Sequence, residues 1–103
     1  MKKYNEFYEA LLKVPKGKVV SYGQLAMLAG YPVGARLAGR AMSCVPQEME
    51  LPCHRVVHSD GRLVVGWEDQ KSLLEDEGVV FSSSGRVNMR KYVWRIDISI
   101  EEN

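Results

Sequence analysis

Two helix-boundary signals near the start of the chain constrain its fold more than anything else in it. Ser21 with Gln24 three positions later is a capping box, in which the two side chains satisfy the first free N–H groups of a helix. Gly30 followed by Pro32 is a stop, since glycine accepts the left-handed turn that closes a helix and proline resists continuing one. Between the signals Leu25, Ala26, Leu28 and Ala29 fill a short helix. A second helix is expected from about Pro32 to Met42, with Val33, Leu37, Ala38, Ala41 and Met42 available for one face. An earlier helix, marked by Phe7, Tyr8, Leu11 and Leu12, stops near Val14 because Pro15 and Gly17 follow. Two short helices joined by a tight glycine-containing turn, after another helix, read as a helix-turn-helix.

The small residues Gly34, Ala35, Ala38, Gly39 and Ala41 let the second helix of the pair approach another backbone closely. That suits either a tight helix crossing or the surface of a DNA groove, and spacing alone leaves both open. Residues 43–52, with Pro46 and Pro52, form an irregular connector. Arg55 to His58 and Arg62 to Val65 flank Ser-Asp-Gly and read as a β hairpin. A last helix over residues 68–77 packs through Leu73 and Leu74 and stops at Gly78. Ser82 to Gly85 is a loop, and from Tyr92 the alternation of Trp94, Ile96, Ile98 and Ile100 reads as an edge strand. The expected fold is mainly α with a minor β hairpin, a winged-helix-like helix-turn-helix, in a single domain over residues 1–103.

No apolar run approaches the ~20 residues of a membrane span, and the lysine-rich start leads into an amphipathic stretch, which favours the cytoplasm. Two cysteines make no disulfide framework. The net charge of +1 hides an asymmetry. Residues 1–47 carry seven Lys/Arg against two Glu, whereas residues 48–103 carry seven basic against eleven acidic side chains. The basic half is a candidate footprint for phosphates, although a solvated lysine-rich face has the same composition.

Cys53 stands between Pro52 and His54, with Arg55 next. A free thiol is only slightly ionised at neutral pH, and a neighbouring imidazole or cation raises the thiolate fraction. The proline restricts the local chain and holds the thiol in a fixed direction. The same residues admit two other readings. A lone cysteine is often a small buried hydrophobe, and Cys44, Cys53, His54 and His58 are four possible metal ligands. Their spacing matches no paired short-loop zinc pattern, so no metal is expected.

Pro52-Cys53-His54-Arg55-Val56 resembles the active-site motif of the O6-alkylguanine-DNA alkyltransferases. The likeness continues through the run from Pro15 to Ala26, through Ala35-Arg36 and Gly39-Arg40-Ala41-Met42, and to Glu77-Gly78, covering about residues 5 to 78. The resemblance implies that Cys53 is the alkyl acceptor, that His54 is its base through water, and that Glu77 orients His54. It implies that Tyr22 bears on the phosphate beside the target and helps protonate the leaving guanine. Arg36 would fill the space of a flipped base, and residues from Val33 to Met42 would form a recognition helix in the minor groove. Ser21, Tyr22, Gly34, Ala35, Gly39 and Met42 join Arg36 as expected DNA contacts. O6 of guanine lies against its pairing partner, so a protein must rotate the nucleotide out to reach it. The thioether product has no easy hydrolytic exit, so each molecule is expected to act once; no cofactor is expected, and nothing in the sequence suggests other than a monomer.

Three features set the chain apart within that resemblance. Val45 stands where the family usually has asparagine, and the active-site loop is shortened to Val64-Val65-Gly66-Trp67. The N-terminal companion domain of full-length members is not expected. The short loop, Gly30-Tyr31-Pro32 and the run from Arg90 to Trp94 look more like the alkyltransferase-like proteins. Those bind alkylated DNA without transferring the group, and carry tryptophan or alanine at the position of Cys53. The alternative function is therefore a sensor that flags O6-alkylguanine for nucleotide excision repair proteins. A transcriptional helix-turn-helix, with Cys53 incidental, is the reading outside repair.

Overall fold

The computed structural model describes residues 4–95. Helix α1 spans Asn5–Leu12 and buries Phe7, Tyr8, Ala10 and Leu11, while Leu12 stays exposed. Strand β1 is Val20–Ser21 and leads directly into α2, Tyr22–Leu28. The capping box forms as the sequence requires: Gln24 N–H donates to Ser21 Oγ at 3.1 Å, and Ser21 N–H donates to Gln24 Oε1 at 3.0 Å. Gly30 takes the left-handed conformation that closes α2, at φ 97°.

Helix α3 runs Ala35–Ser43, three residues later than expected from Pro32. Residues 31–34 are instead spent on the turn between the helices, where Tyr31 N–H donates back to Ala26 O at 2.8 Å. Val33 is consequently outside the helix and almost fully exposed. Gly34 is required by this turn, because a Cβ there would lie 2.8 Å from Tyr31 Cβ and 3.3 Å from Ala26 Cβ.

A 3₁₀ turn, Cys53–Arg55, precedes strand β2, Val56–Val57. The strands pair in parallel, Val20 opposite Val56 and Ser21 opposite Val57. Successive strand residues point to opposite faces, and this pair uses the alternation to divide two cores. Val20 and Val56 join the α1–α2–α3 cluster with Leu11, Leu25, Ala38 and Ala41, while Val19 and Val57 join Leu74, Val79, Val87 and Tyr92. Val93 bridges to Val19 on the outer edge of β1.

The β component is thus a parallel pair and not the expected hairpin. His58 N–H does donate to Arg62 O across a tight turn, but residues 62–65 form no strand. The buried Gln70 takes the place of a partner strand. Its Nε2 donates to His54 O and Val56 O at 3.1 and 3.0 Å, and its Oε1 accepts from Val64 N–H at 2.7 Å. Gln70 lies on α4, Asp69–Asp76, which closes as expected just before Gly78. A short helix α5, Met89–Tyr92, occupies the start of the expected edge strand. Val93 and Trp94 then run along Val19 as an edge, with Val19 N–H donating to Tyr92 O at 2.9 Å and Trp94 N–H to Val19 O at 2.8 Å, and the remainder of that strand, Ile96 to Ile100, lies outside the described residues. Among the described residues no helix is long and apolar enough to cross a membrane.

Candidate active site and groove

The 3₁₀ turn sets three consecutive side chains to different tasks. Cys53 N–H donates to Leu51 O at 2.8 Å and Arg55 N–H to Pro52 O at 3.0 Å, so the chain tightens immediately after the proline. His54 and Arg55 both reach the carboxylate of Glu77, at the C-terminal end of α4. His54 Nε2 lies 2.7 Å from Glu77 Oε2. Arg55 grips the same carboxylate with two bonds, Nε to Oε1 at 3.0 Å and Nη2 to Oε2 at 2.8 Å, and its Nη1 donates to Val14 O at 2.8 Å. Gly17 N–H adds a fourth bond to Oε1 at 3.2 Å. Gly17 holds a left-handed φ of 87°, and a Cβ there would lie 3.1 Å from Glu77 O.

This arrangement decides protonation. Burial opposes the Glu77 charge more strongly than any other single influence. The bonds from Arg55, His54 and Gly17 together outweigh it and hold the carboxyl at about 2. An ionised carboxylate only accepts, so the His54 proton sits on Nε2 when the ring is neutral, leaving Nδ1 as its basic nitrogen.

Cys53 is half-buried and packs against the cluster that contains Ala38 and Ala41 of α3. Burial pushes its thiol up, partly offset by a backbone hydrogen bond of its own. Tyr22 is also held protonated, first by burial and then by the proximity of Cys53. Tyr8 is raised likewise, by burial and then by Cys44, Cys53 and Tyr4, while its hydroxyl donates to Ala41 O at 3.0 Å. The thiol therefore keeps its proton.

Beside this cluster lies an open groove of about 730 Å³. Ser21, Tyr22 and Gly23 form one side, Ala35, Arg36 and Gly39 of α3 another, and His58, Ser59, Val64 and Val65 a third. Cys53 does not line it; Tyr22, within electrostatic reach of the thiol, connects the two. Arg36 is exposed and makes no hydrogen bond or ion pair among the described residues.

The small residues on α3 divide between two faces. Ala38 and Ala41 are fully buried in the helix crossing, whereas a Cβ on Gly39 would meet nothing within 4 Å. Of the expected DNA contacts, Ser21, Tyr22, Ala35, Arg36 and Gly39 come together in the groove. Gly34 lies in the interhelix turn, and Met42 packs against the first core cluster.

Sequence reasoning missed Arg55 as the clamp on Glu77, although its place beside His54 was a signal. It also placed His58 in a hairpin strand, whereas His58 lies in the groove with its ring 5.4 Å from that of Tyr22. Cys44 is exposed, and among the described residues no three His, Cys, Asp or Glu side chains converge as metal ligands would.

Residues 2–79 match the family model described as 6-O-methylguanine DNA methyltransferase, DNA binding domain. The chain is 39% identical over 93 residues to a protein of Vibrio parahaemolyticus named DNA base-flipping protein, covering 87% of this chain and 93% of that one. It is 35% identical over 101 residues to alkyltransferase-like protein 1 of Schizosaccharomyces pombe, covering 89% and 94%. Its fold is similar to the crystal structure of S. pombe Atl1 in complex with damaged DNA containing O6-carboxymethylguanine. The TM-score is 0.80 at 34% identity, over 93% of this chain and all of that one.

Proposed function

The chain belongs to the family of the 6-O-methylguanine DNA methyltransferase DNA-binding domain, and from that premise we propose that it flips O6-alkylguanine out of duplex DNA and takes the alkyl group onto Cys53. The observation that carries this reading is the coupling of His54 to an ionised Glu77 at 2.7 Å, with the next residue back in the chain, Cys53, a thiol that burial keeps protonated. Such a thiol needs a base on demand, and a base oriented by a carboxylate is the usual arrangement for activating a nucleophile.

In the proposed step His54 Nδ1 removes the Cys53 proton through a bridging water, and Glu77 stabilises the imidazolium that results. Cys53 Sγ attacks the sp³ carbon attached to O6, the new S–C bond forms, and the C–O bond breaks with its electron pair going to guanine. Tyr22, kept protonated, donates to the leaving base. Helix α3 is the recognition helix of a helix-turn-helix with α2. Its Arg36, exposed and unpaired among the described residues, enters the stack where the flipped base was, offsetting part of the few kcal/mol that extrusion costs.

A second reading has its own support. The relatives similar over nearly their whole length carry the names DNA base-flipping protein and alkyltransferase-like protein 1. On that reading the groove binds the lesion, Cys53 remains a thiol, and nucleotide excision repair proteins act next. Nucleoside analysis of an O6-methylguanine duplex after incubation with reduced protein separates the two. Transfer converts the lesion to guanine, one per protein molecule, whereas a sensor leaves O6-methylguanine intact.

A further inference from the structure

We propose that His58 is a phosphate-binding residue that makes DNA association take up a proton. The inference rests on the DNA-binding reading above and assigns a role to a residue outside the motif. His58 lines the groove on a different wall from Arg36, with its ring against Tyr22 at 5.4 Å and a 56° tilt. Its backbone is fixed at both ends of a tight turn, by His58 N–H to Arg62 O at 3.0 Å and Gly61 N–H to His58 O at 2.9 Å. That turn is anchored in turn by Val87 N–H to Gly61 O at 2.9 Å. The main chain at His58 is therefore held in place with the ring against Tyr22, and the ring nitrogens make no hydrogen bond among the described residues.

The charged and titratable groups around it leave it available. Helix α2 presents Tyr22, whose phenol is neutral at physiological pH, and α3 presents the cation Arg36 along the same groove. Its own turn carries Asp60 and Arg62, and the Asp60 carboxylate is already engaged by Arg62 at 3.0 Å and Arg86 at 3.5 Å. No carboxylate in that set is left to hold an imidazolium, whereas a DNA phosphate at the Tyr22 wall would do so. A phosphate within reach favours the charged ring, so binding draws a proton onto His58. With Arg36 in the stack, His58 would face the backbone of the extruded nucleotide.

The test is the salt dependence of binding to an O6-methylguanine duplex at about pH 6 and about pH 8.5, which bracket imidazole ionisation. Each neutralised phosphate contributes about −0.9 to the log–log slope. The wild-type slope should be steeper at the lower pH by about that amount, a three- to fourfold larger loss of affinity over a fourfold rise in salt. His58→Gln should give the shallow slope at both pH values and His58→Lys the steep slope at both, a pattern that a merely structural role would not produce. A pH-independent wild-type slope, or a pH-dependent slope retained in His58→Gln, overturns the proposal while leaving DNA binding intact. No binding by the wild type at either pH overturns this proposal and the reading beneath it together.

Discussion

Glu77 holds four donors on one carboxylate, and its effect is measurable apart from any reaction. Its pKa of about 2 against an ordinary 4.5 means that the unfolded chain takes up a proton before the folded one does. The stabilisation is therefore complete above about pH 4.5 and lost as pH falls towards about 2, amounting to about 3 kcal/mol. Urea midpoints of the wild type should fall over that window, and those of Glu77→Gln should fall less. Equal pH profiles would remove Glu77 from the account. At the reacting group, Cys53→Ala should abolish transfer and keep lesion binding, because the groove and Arg36 remain. His54→Ala should slow transfer by about 10²–10⁴-fold, the usual reach of a positioned base; single-turnover rates check both. The consecutive residues of this site were legible in the sequence because a motif places Pro52, Cys53, His54 and Arg55 side by side. Their partners were less so. Glu77 was expected only through the resemblance, as the group that orients His54; that Arg55 also reaches Glu77 and Val14 O, and Gly17 N–H reaches Glu77, comes only through the fold, and nothing local marks Gln70 as a buried strand-edge cap.

At the scale of elements, the helix pair follows from local signals and the sheet does not. The capping box and Gly30 act within one turn of chain, and both form where the sequence puts them. The parallel pairing of Val20 with Val56 joins residues far apart in sequence through strands of two residues, too short for any periodicity to register. The expected hairpin failed for a related reason, since a buried glutamine took the hydrogen bonds that a second strand would have used. Two glycines of the helix pair test the division of labour on α3. Gly34→Ala forces a Cβ against Tyr31 and Ala26 and should destabilise by about 1–3 kcal/mol. Gly39→Ala meets open space and should leave stability unchanged or raise it by up to about 1 kcal/mol, while weakening DNA binding through the groove wall. Thermal melts and duplex titrations on both variants distinguish packing from recognition. A destabilised Gly39→Ala, or one that binds DNA as well as the wild type, contradicts the assignment.

For the whole molecule, the basic excess of residues 1–47 falls in the stretch that supplies two of the groove's three sides, Ser21, Tyr22 and Gly23 on one and the α3 residues Ala35, Arg36 and Gly39 on the other. Affinity for duplex DNA should fall with salt at about −0.9 per neutralised phosphate and depend little on sequence. Arg36→Ala should weaken lesion binding more than Lys16→Ala, because only Arg36 would fill the vacated stack; equal losses would make Arg36 an ordinary phosphate contact. In the proposed mechanism Cys53, the His54–Glu77 couple and Tyr22 would serve the transfer step, while the groove and Arg36 would serve extrusion, so binding without transfer would be a coherent state of this fold. The intact mass of the reduced protein after incubation with excess O6-methylguanine duplex tests transfer most directly. Transfer shifts all of the protein by the mass of one methylene, located on the Cys53 peptide and absent from Cys53→Ala. Protein that binds the duplex tightly and keeps its original mass would contradict it.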